Sequence, residues 1–185
     1  MDMIWLTAER GYPGEAAGQT GEIQVDSEAE LTSLVEKFSG LVFRVALCHV
    51  KNPADADDIM QDVFLALYTS KKGFTDDEHI KAWLIRVTVN KCTNLLRSCG
   101  RRLSVPLENA EEIPFLPKEK FSLIPQLMKL KPKYRVVLYM FYYEDFPVSR
   151  IAELLGEKQS TVTTRLARGR TKLRELLIKE GYDEF

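Results

Sequence analysis

The sequence predicts an all-α protein made of two small helical domains, and three observations carry that expectation. Apolar residues recur at i, i+3, i+4 spacing in successive stretches from Leu31 onward, as amphipathic helices require. The stretch from Leu103 to Lys120 interrupts them with Pro106, Pro114 and Pro117 set among Glu108, Glu111 and Glu112. Proline at that density prevents a long helix and the carboxylates oppose burial, so residues 103–120 read as an acidic linker between domains at 27–102 and 121–185. Finally, the run SRIAELLGEKQSTVTTRLARGRTKLRELL, Ser149 to Leu177, reads as two helices with a sharp turn between them.

That run is the most informative in the chain. Ile151, Leu154 and Leu155 form the apolar stripe of its first helix. Gly156 ends it, because glycine takes a left-handed cap without steric cost. Gln159 or Ser160 opens the second helix, serine being suited to capping free N–H groups. On a 100° wheel, Val162, Leu166, Gly169, Leu173, Leu176 and Leu177 gather on one side. Thr161, Thr164, Arg165, Arg168 and Lys172 gather on the other. Six basic and no acidic residues lie between Lys158 and Arg174. Such a helix can pack one face on a core and offer the other to a DNA major groove, where Arg pairs with guanine O6 and N7 and hydroxyls or Lys take phosphates. A merely solvated amphipathic helix is the competing reading, and the glycine turn before it argues for helix-turn-helix.

Composition narrows the class. The 185 residues suffice for one or two small cores, and 45% hydrophobic with 29% charged residues is the balance of a soluble globular chain. No apolar run approaches the ~20 residues of a membrane span and Met1–Arg10 lacks a signal-peptide pattern, so no membrane insertion and a cytoplasmic location are expected. Cys48, Cys92 and Cys99 have no CxxC spacing, and Cys48–His49 lacks partner ligands, so neither a metal nor any other cofactor is expected. There is no P-loop and no credible Ser/His or Cys/His set, which makes an enzyme the least favoured class.

The formal net charge of −1 conceals strong segregation. Met1–Glu30 holds seven acidic residues and one Arg, whereas His79–Leu107 holds six basic residues and none that are acidic. Two separate basic blocks point to two nucleic-acid contacts. Residues 1–26, broken by four glycines and one proline, are expected to be a disordered acidic leader.

Within 27–102, a helix is expected from Leu31 to Val50, stopped by Asn52-Pro53. Asp55 is expected to cap a second helix reaching about Thr69. Its core face is Ile59, Met60, Val63, Phe64 and Leu67, and its other stripe is Asp58, Gln61, Asp62 and Leu65. An acidic stripe with an exposed leucine is a protein-docking signal. After the polar loop KKGFTDDE, which carries Phe74, a third helix is expected from His79 to Ser98. Leu84, Ile85, Thr88, Val89, Cys92, Leu95 and Leu96 form its apolar face. Trp83, Arg86, Asn90, Thr93, Asn94 and Arg97 form its polar face, a combination suited to stacking bases and holding phosphates of an opened strand. Equally, Trp83 can pack beneath a neighbouring loop. Beyond the linker, Phe121–Leu130 and Tyr134–Tyr143 are expected as apolar helices, with Val136, Val137, Met140 and Phe141 in the core.

Three stretches together resemble a bacterial sigma factor of the extracytoplasmic function group of the sigma-70 family. DADDIMQDVFLALY (Asp55–Tyr68) resembles the region-two segment that grips the polymerase clamp helices. HIKAWLIRVTVNKCTNLLR (His79–Arg97) resembles the promoter-melting helix, and Leu130–Leu176 resembles region four. The resemblance implies a region-two-like bundle and a region-four-like helix-turn-helix domain. It implies that Asp58, Gln61, Asp62 and Leu65 dock on core RNA polymerase. Phe74, Trp83, Arg86, Asn90 and Arg97 would serve the minus-ten element, and Thr161, Thr164, Arg165, Arg168 and Lys172 the minus-thirty-five element of promoter DNA. An anti-sigma factor is a further expected partner. The main competing class is a stand-alone helix-turn-helix regulator whose first domain senses or dimerises; a third is an interaction module that binds polymerase without reading DNA.

Overall fold

A computed structural model describes residues 23, 25–70, 72–98 and 123–181, which form helices and loops with one isolated antiparallel bridge. The linker at 103–120 and most of the leader lie outside the described residues.

The first domain consists of α1 (Glu28–Val50), α2 (Pro53–Thr69) and α3 (Asp77–Ser98), packed on one another. α1 begins ahead of the expected Leu31 because Ser27 and Glu30 form a reciprocal capping box that satisfies two otherwise orphaned N–H groups. Lys51 then turns left-handed and ends it. The cap of α2 differs from expectation: Asn52, not Asp55, accepts the Ala54 N–H at 3.1 Å, and Pro53 occupies the first helical position. Proline has no N–H to leave unpaired there, so Asn-Pro both stops α1 and starts α2. The packed domain also begins before residue 27. Ile23 and Phe74 exchange N–H···O bonds of 2.6 and 2.9 Å, and Val25 is buried.

The second domain comprises α4 (Ile124–Lys129), α5 (Pro132–Tyr142), α6 (Val148–Leu155) and α7 (Gln159–Lys179). α4 is one short stretch inside the expected Phe121–Leu130. Val136, Val137 and Met140 are buried as expected, and Phe141 is half-buried. α7 packs on α5 at Gly169, where an added Cβ would stand 3.0 Å from Leu138 Cδ1 and 3.4 Å from Tyr134 Cβ. Glycine at that point lets the helices approach.

The domains do not hang free of each other: α5 packs on α1, and α6 on α3. At the centre of this joint Arg135 is fully buried. Its guanidinium donates to the carbonyls of Cys48 and His49 at the end of α1, and to those of Met128 and Leu130. The last carbonyls of a helix have no intrahelical partner and carry its negative dipole end, which is why a buried cation is tolerated here without a carboxylate.

Cys48 and His49 are drawn into the same joint. Burial pushes the Cys48 thiol up to about 12. The His49 ring, with Nδ1 3.0 Å from the Val45 carbonyl, is pushed down to about 4 by burial. The unfolded chain therefore takes up this proton first as acidity increases. Stability should be full above about pH 6.5 and fall as the pH approaches 4, by about 3 kcal/mol. Urea denaturation at neutral and acid pH measures this, and His49→Gln should flatten that part of the slope.

Candidate nucleic-acid interface

The helix-turn-helix follows from local sequence. α6 turns three apolar residues inward, with Ile151 and Leu154 buried and Leu155 half-buried. Gly156 adopts φ 65°, the left-handed conformation expected of it. α7 starts at Gln159 after Lys158, without a side-chain cap, so Ser160 lies inside the first turn rather than closing it. Its inward face is Val162, Leu166, Gly169 and Leu177, with Leu173 and Leu176 half-buried.

The outward face carries the sequence-selected set. Thr164, Arg168 and Lys172 are exposed; Thr161 and Arg165 are half-buried. The Arg165 guanidinium is steered by the Glu157 carboxylate at 2.8 Å, from the turn itself. Thr164 donates its hydroxyl to the Ser160 carbonyl at 2.8 Å. The helix thus presents one directed cation, Arg165, beside the exposed Arg168 and small side chains, a geometry a major groove accepts.

α3 bears the second set, and here the structure separates residues that the sequence grouped. Asn90 and Arg97 are exposed and Arg86 is half-buried. Phe74 and Trp83 are not a stacking surface: they are 1% and 8% exposed and meet edge-to-face at 5.8 Å. Phe74 also meets the His79 ring at 5.3 Å. The loop reading of Trp83 is therefore the one observed, because the indole fills the space under the Ile23–Phe74 bridge. The loop top is polar, with Asp76 accepting the His79 N–H at 2.7 Å and thereby capping the start of α3. At the other end Leu96 is 46% exposed, so the apolar stripe of α3 outruns the core it covers.

On α2, Asp58, Gln61, Asp62 and Leu65 form one exposed stripe. Leu65 is 61% and the nearby Tyr68 45% exposed, unusual for large apolar residues on a helix whose other face is fully packed. Gln61 is held by Asp57 at 2.7 Å, and Asp62 pairs with Lys91 of α3 at 3.0 Å. No group of metal-ligating side chains and no helix able to cross a membrane occurs among the described residues.

Comparison with known proteins matches residues 34–102 to Sigma-70 region 2 and residues 122–173 to Sigma-70, region 4. RNA polymerase sigma factor SigV of Bacillus subtilis is 31% identical over 144 residues, covering 75% of this chain and 85% of the relative. The extracytoplasmic function sigma factor SigM of Mycobacterium tuberculosis is 28% identical over 137 residues, 72% of this chain and 70% of the relative. CnrH, solved in complex with the cytosolic domain of CnrY, superposes with a TM-score of 0.61 at 26% identity over 84% of this chain and 92% of its own. RpoE of Bartonella quintana, solved with the anti-sigma factor NepR, shares the fold with a TM-score of 0.66 at 18% identity, over 80% and 96% of the two chains. The chain belongs to the sigma-70 family of RNA polymerase sigma factors, in its extracytoplasmic function group.

Proposed function

We propose that this chain directs promoter-specific transcription initiation by binding core RNA polymerase, recognising a minus-thirty-five element and opening a minus-ten element, with no catalytic step of its own. The observation that carries this is the presence on one chain of two chemically different faces. One is the α7 face of threonines and arginines, with Arg165 directed by Glu157, suited to a duplex groove; the other is the exposed acidic-leucine stripe of α2, suited to a protein. Arg86, Asn90 and Arg97 of α3 hold the opened minus-ten strand, with Phe74 and Trp83 shaping the loop beside them from below. The opening is driven by binding energy to unstacked bases. Residues 27–102 then serve polymerase and the minus-ten element, residues 121–185 the minus-thirty-five element, and residues 103–120 connect them. The work is cytoplasmic, and a protein of the anti-sigma class, such as holds one solved relative, is its inhibitor.

Purified core polymerase transcribing a promoter library with and without the chain tests this. Transcripts that depend on the chain and start a fixed distance below a shared two-part motif are expected. Absence of such transcripts, with a polymerase that responds to a control sigma factor, would favour a stand-alone regulator. Leu65→Asp should weaken binding to core polymerase by about 2 kcal/mol, roughly thirtyfold, by placing a charge where an apolar anchor is desolvated. Fluorescence anisotropy of labelled chain measures the shift, and the fold should be little affected because Leu65 is 61% exposed.

A further inference from the structure

The loop that leads into α3 is held by chain that precedes α1. Ile23 N–H donates to the Phe74 carbonyl at 2.6 Å and Phe74 N–H donates to the Ile23 carbonyl at 2.9 Å, the closed pair of an antiparallel ladder. Val25 follows, buried in the same apolar core as Phe74, Ile80 and Trp83. The Asp26 and Ser27 N–H groups then both donate to Glu30 Oε2 at 3.1 Å, which fixes the run to the first turn of α1. A short run is thus tied at both ends, to the loop by its backbone and to α1 by Glu30. Two peptide hydrogen bonds gain little net against water and cannot order a chain end by themselves, so the burial of Val25 is what keeps the bridge closed.

The loop needs such a hold. α2 ends at Thr69 and α3 begins at Asp77, and the connection between them carries Gly73 and an exposed polar tip, Thr75 and Asp76. Connections of this composition are mobile by default. Here Phe74 is 1% exposed, with its ring edge-to-face on Trp83 at 5.8 Å. Thr75 N–H donates to His79 Nδ1 at 3.3 Å, and Asp77 pairs with Lys37 of α1. The backbone bridge and the buried ring together fix Thr75 and Asp76 where they stand exposed. Hydroxyl and carboxylate acceptors at such a tip suit the amino groups on the edge of an unstacked base.

We propose that Ile23 and Val25 are positioning residues for minus-ten opening: they hold Phe74, and through it the loop tip that receives a base of the opened strand. The inference rests on the reading of this loop and α3 as the strand-holding surface. Neither residue touches DNA. Their contribution is to order the tip before the base arrives, so that capture loses no loop entropy. The consequence is selective. Recognition of the duplex by α7 and docking through the α2 stripe use other faces and should be indifferent to this strap.

The full-length chain carrying Trp5→Phe keeps Trp83 as its one tryptophan, so acrylamide quenching of its emission reports the packing at Phe74. In that background Val25→Ser removes the buried anchor, Ile23→Pro removes the N–H given to Phe74, and Val25→Ile keeps an apolar anchor. Each is assembled with core polymerase and titrated with a promoter taken from the transcription library, its minus-ten segment pre-opened by mismatches. The same DNA with abasic sites in place of the minus-ten bases is the second ligand. Val25→Ser should expose Trp83 to the quencher and weaken binding to the base-bearing DNA about tenfold, and Ile23→Pro about threefold. Val25→Ile should stay within about twofold of wild type. On the abasic DNA all should match wild type within about twofold, because the strap acts only through base capture.

Equal weakening on both DNAs would mean that the run merely stabilises its domain, and would overturn the proposal. So would unchanged binding with Trp83 exposed, or Trp83 unmoved in both Val25→Ser and Ile23→Pro with helical circular dichroism intact. If Val25→Ser unfolds the domain, Ile23→Pro decides alone, since Ile23 is 40% exposed and its replacement opens no cavity. Opening of the intact promoter by holoenzyme carrying the wild-type chain is measured alongside. If it occurs while the strap variants bind as wild type does, the assignment of function stands and the strap has failed; if it does not occur, that assignment has failed and the strap falls with it.

Discussion

Replacing Arg165 and Arg168 together by alanine should lower promoter-dependent transcription at least about thirtyfold while leaving binding to core polymerase unchanged. Each well-placed guanidinium on a guanine edge is worth about 1–3 kcal/mol of discrimination, so two give at least about 2 kcal/mol. The two are not equivalent. Arg168 is exposed, whereas Arg165 is half-buried and already oriented by Glu157 at 2.8 Å. It is Glu157 Oε1 that holds the Arg165 guanidinium, so the carboxylate aims this side chain. A cation aimed in advance loses less side-chain entropy on binding, so Arg165→Ala alone should cost more than Arg168→Ala. Run-off transcription from a cognate promoter gives the loss. A salt titration of promoter binding should show a slope shallower by about two if both contact phosphate, and an unchanged slope with relaxed sequence preference if both contact bases. Transcription retained within about threefold in the double variant would remove α7 as the reading helix.

How far the fold was legible in the sequence depended on where each residue's partner lies. Gly156 and the faces of α7 were readable because a helix period and a left-handed turn are local properties. The α2 stripe was readable for the same reason, since Leu65 breaks a pattern that its own helix defines. The second cap shows the limit: Asp55 was the expected cap, and Asn52 takes the role because Pro53 fits only the first turn. Trp83 could not be settled locally. Its wheel position is polar, but the Ile23–Phe74 bridge brings a loop over it from well outside α3. Arg135 was invisible. An arginine between Tyr134 and Val136 reads as a solvated charge, and the carbonyls that hold it belong to Cys48 and His49, 87 and 86 residues away. Charges are buried only where acceptors converge, and no periodicity reports convergence. The docking of the two domains was missed with it.

Arg135 should accordingly be the most costly single position to change. Arg135→Met keeps much of the stem but leaves the carbonyls of Cys48, His49, Met128 and Leu130 without their donor. Hydrogen bonds from a charged group are worth about 1.5–3 kcal/mol each, but methionine also relieves the burial of a cation. Arg135 is fully buried, and that burial pulls the guanidinium down to about 10. The two effects oppose each other and do not cancel, because the acceptors stay in place and two of them lie at the dipole end of a long helix. A net loss of about 3 kcal/mol is expected, which for a chain of this size lowers the melting temperature by about 10 °C. Arg135→Lys should recover little, since an ammonium cannot spread donors over four carbonyls as the planar fork does. Calorimetry separates two ways of losing this energy. If Arg135 mainly joins the domains, Arg135→Met should resolve one melting transition into two, with the helix-turn-helix domain melting first. If it mainly secures the turn between α4 and α5 through Met128 and Leu130, a single transition should shift down intact. A loss below about 1 kcal/mol would mean that the guanidinium sits in water, and neither role would survive.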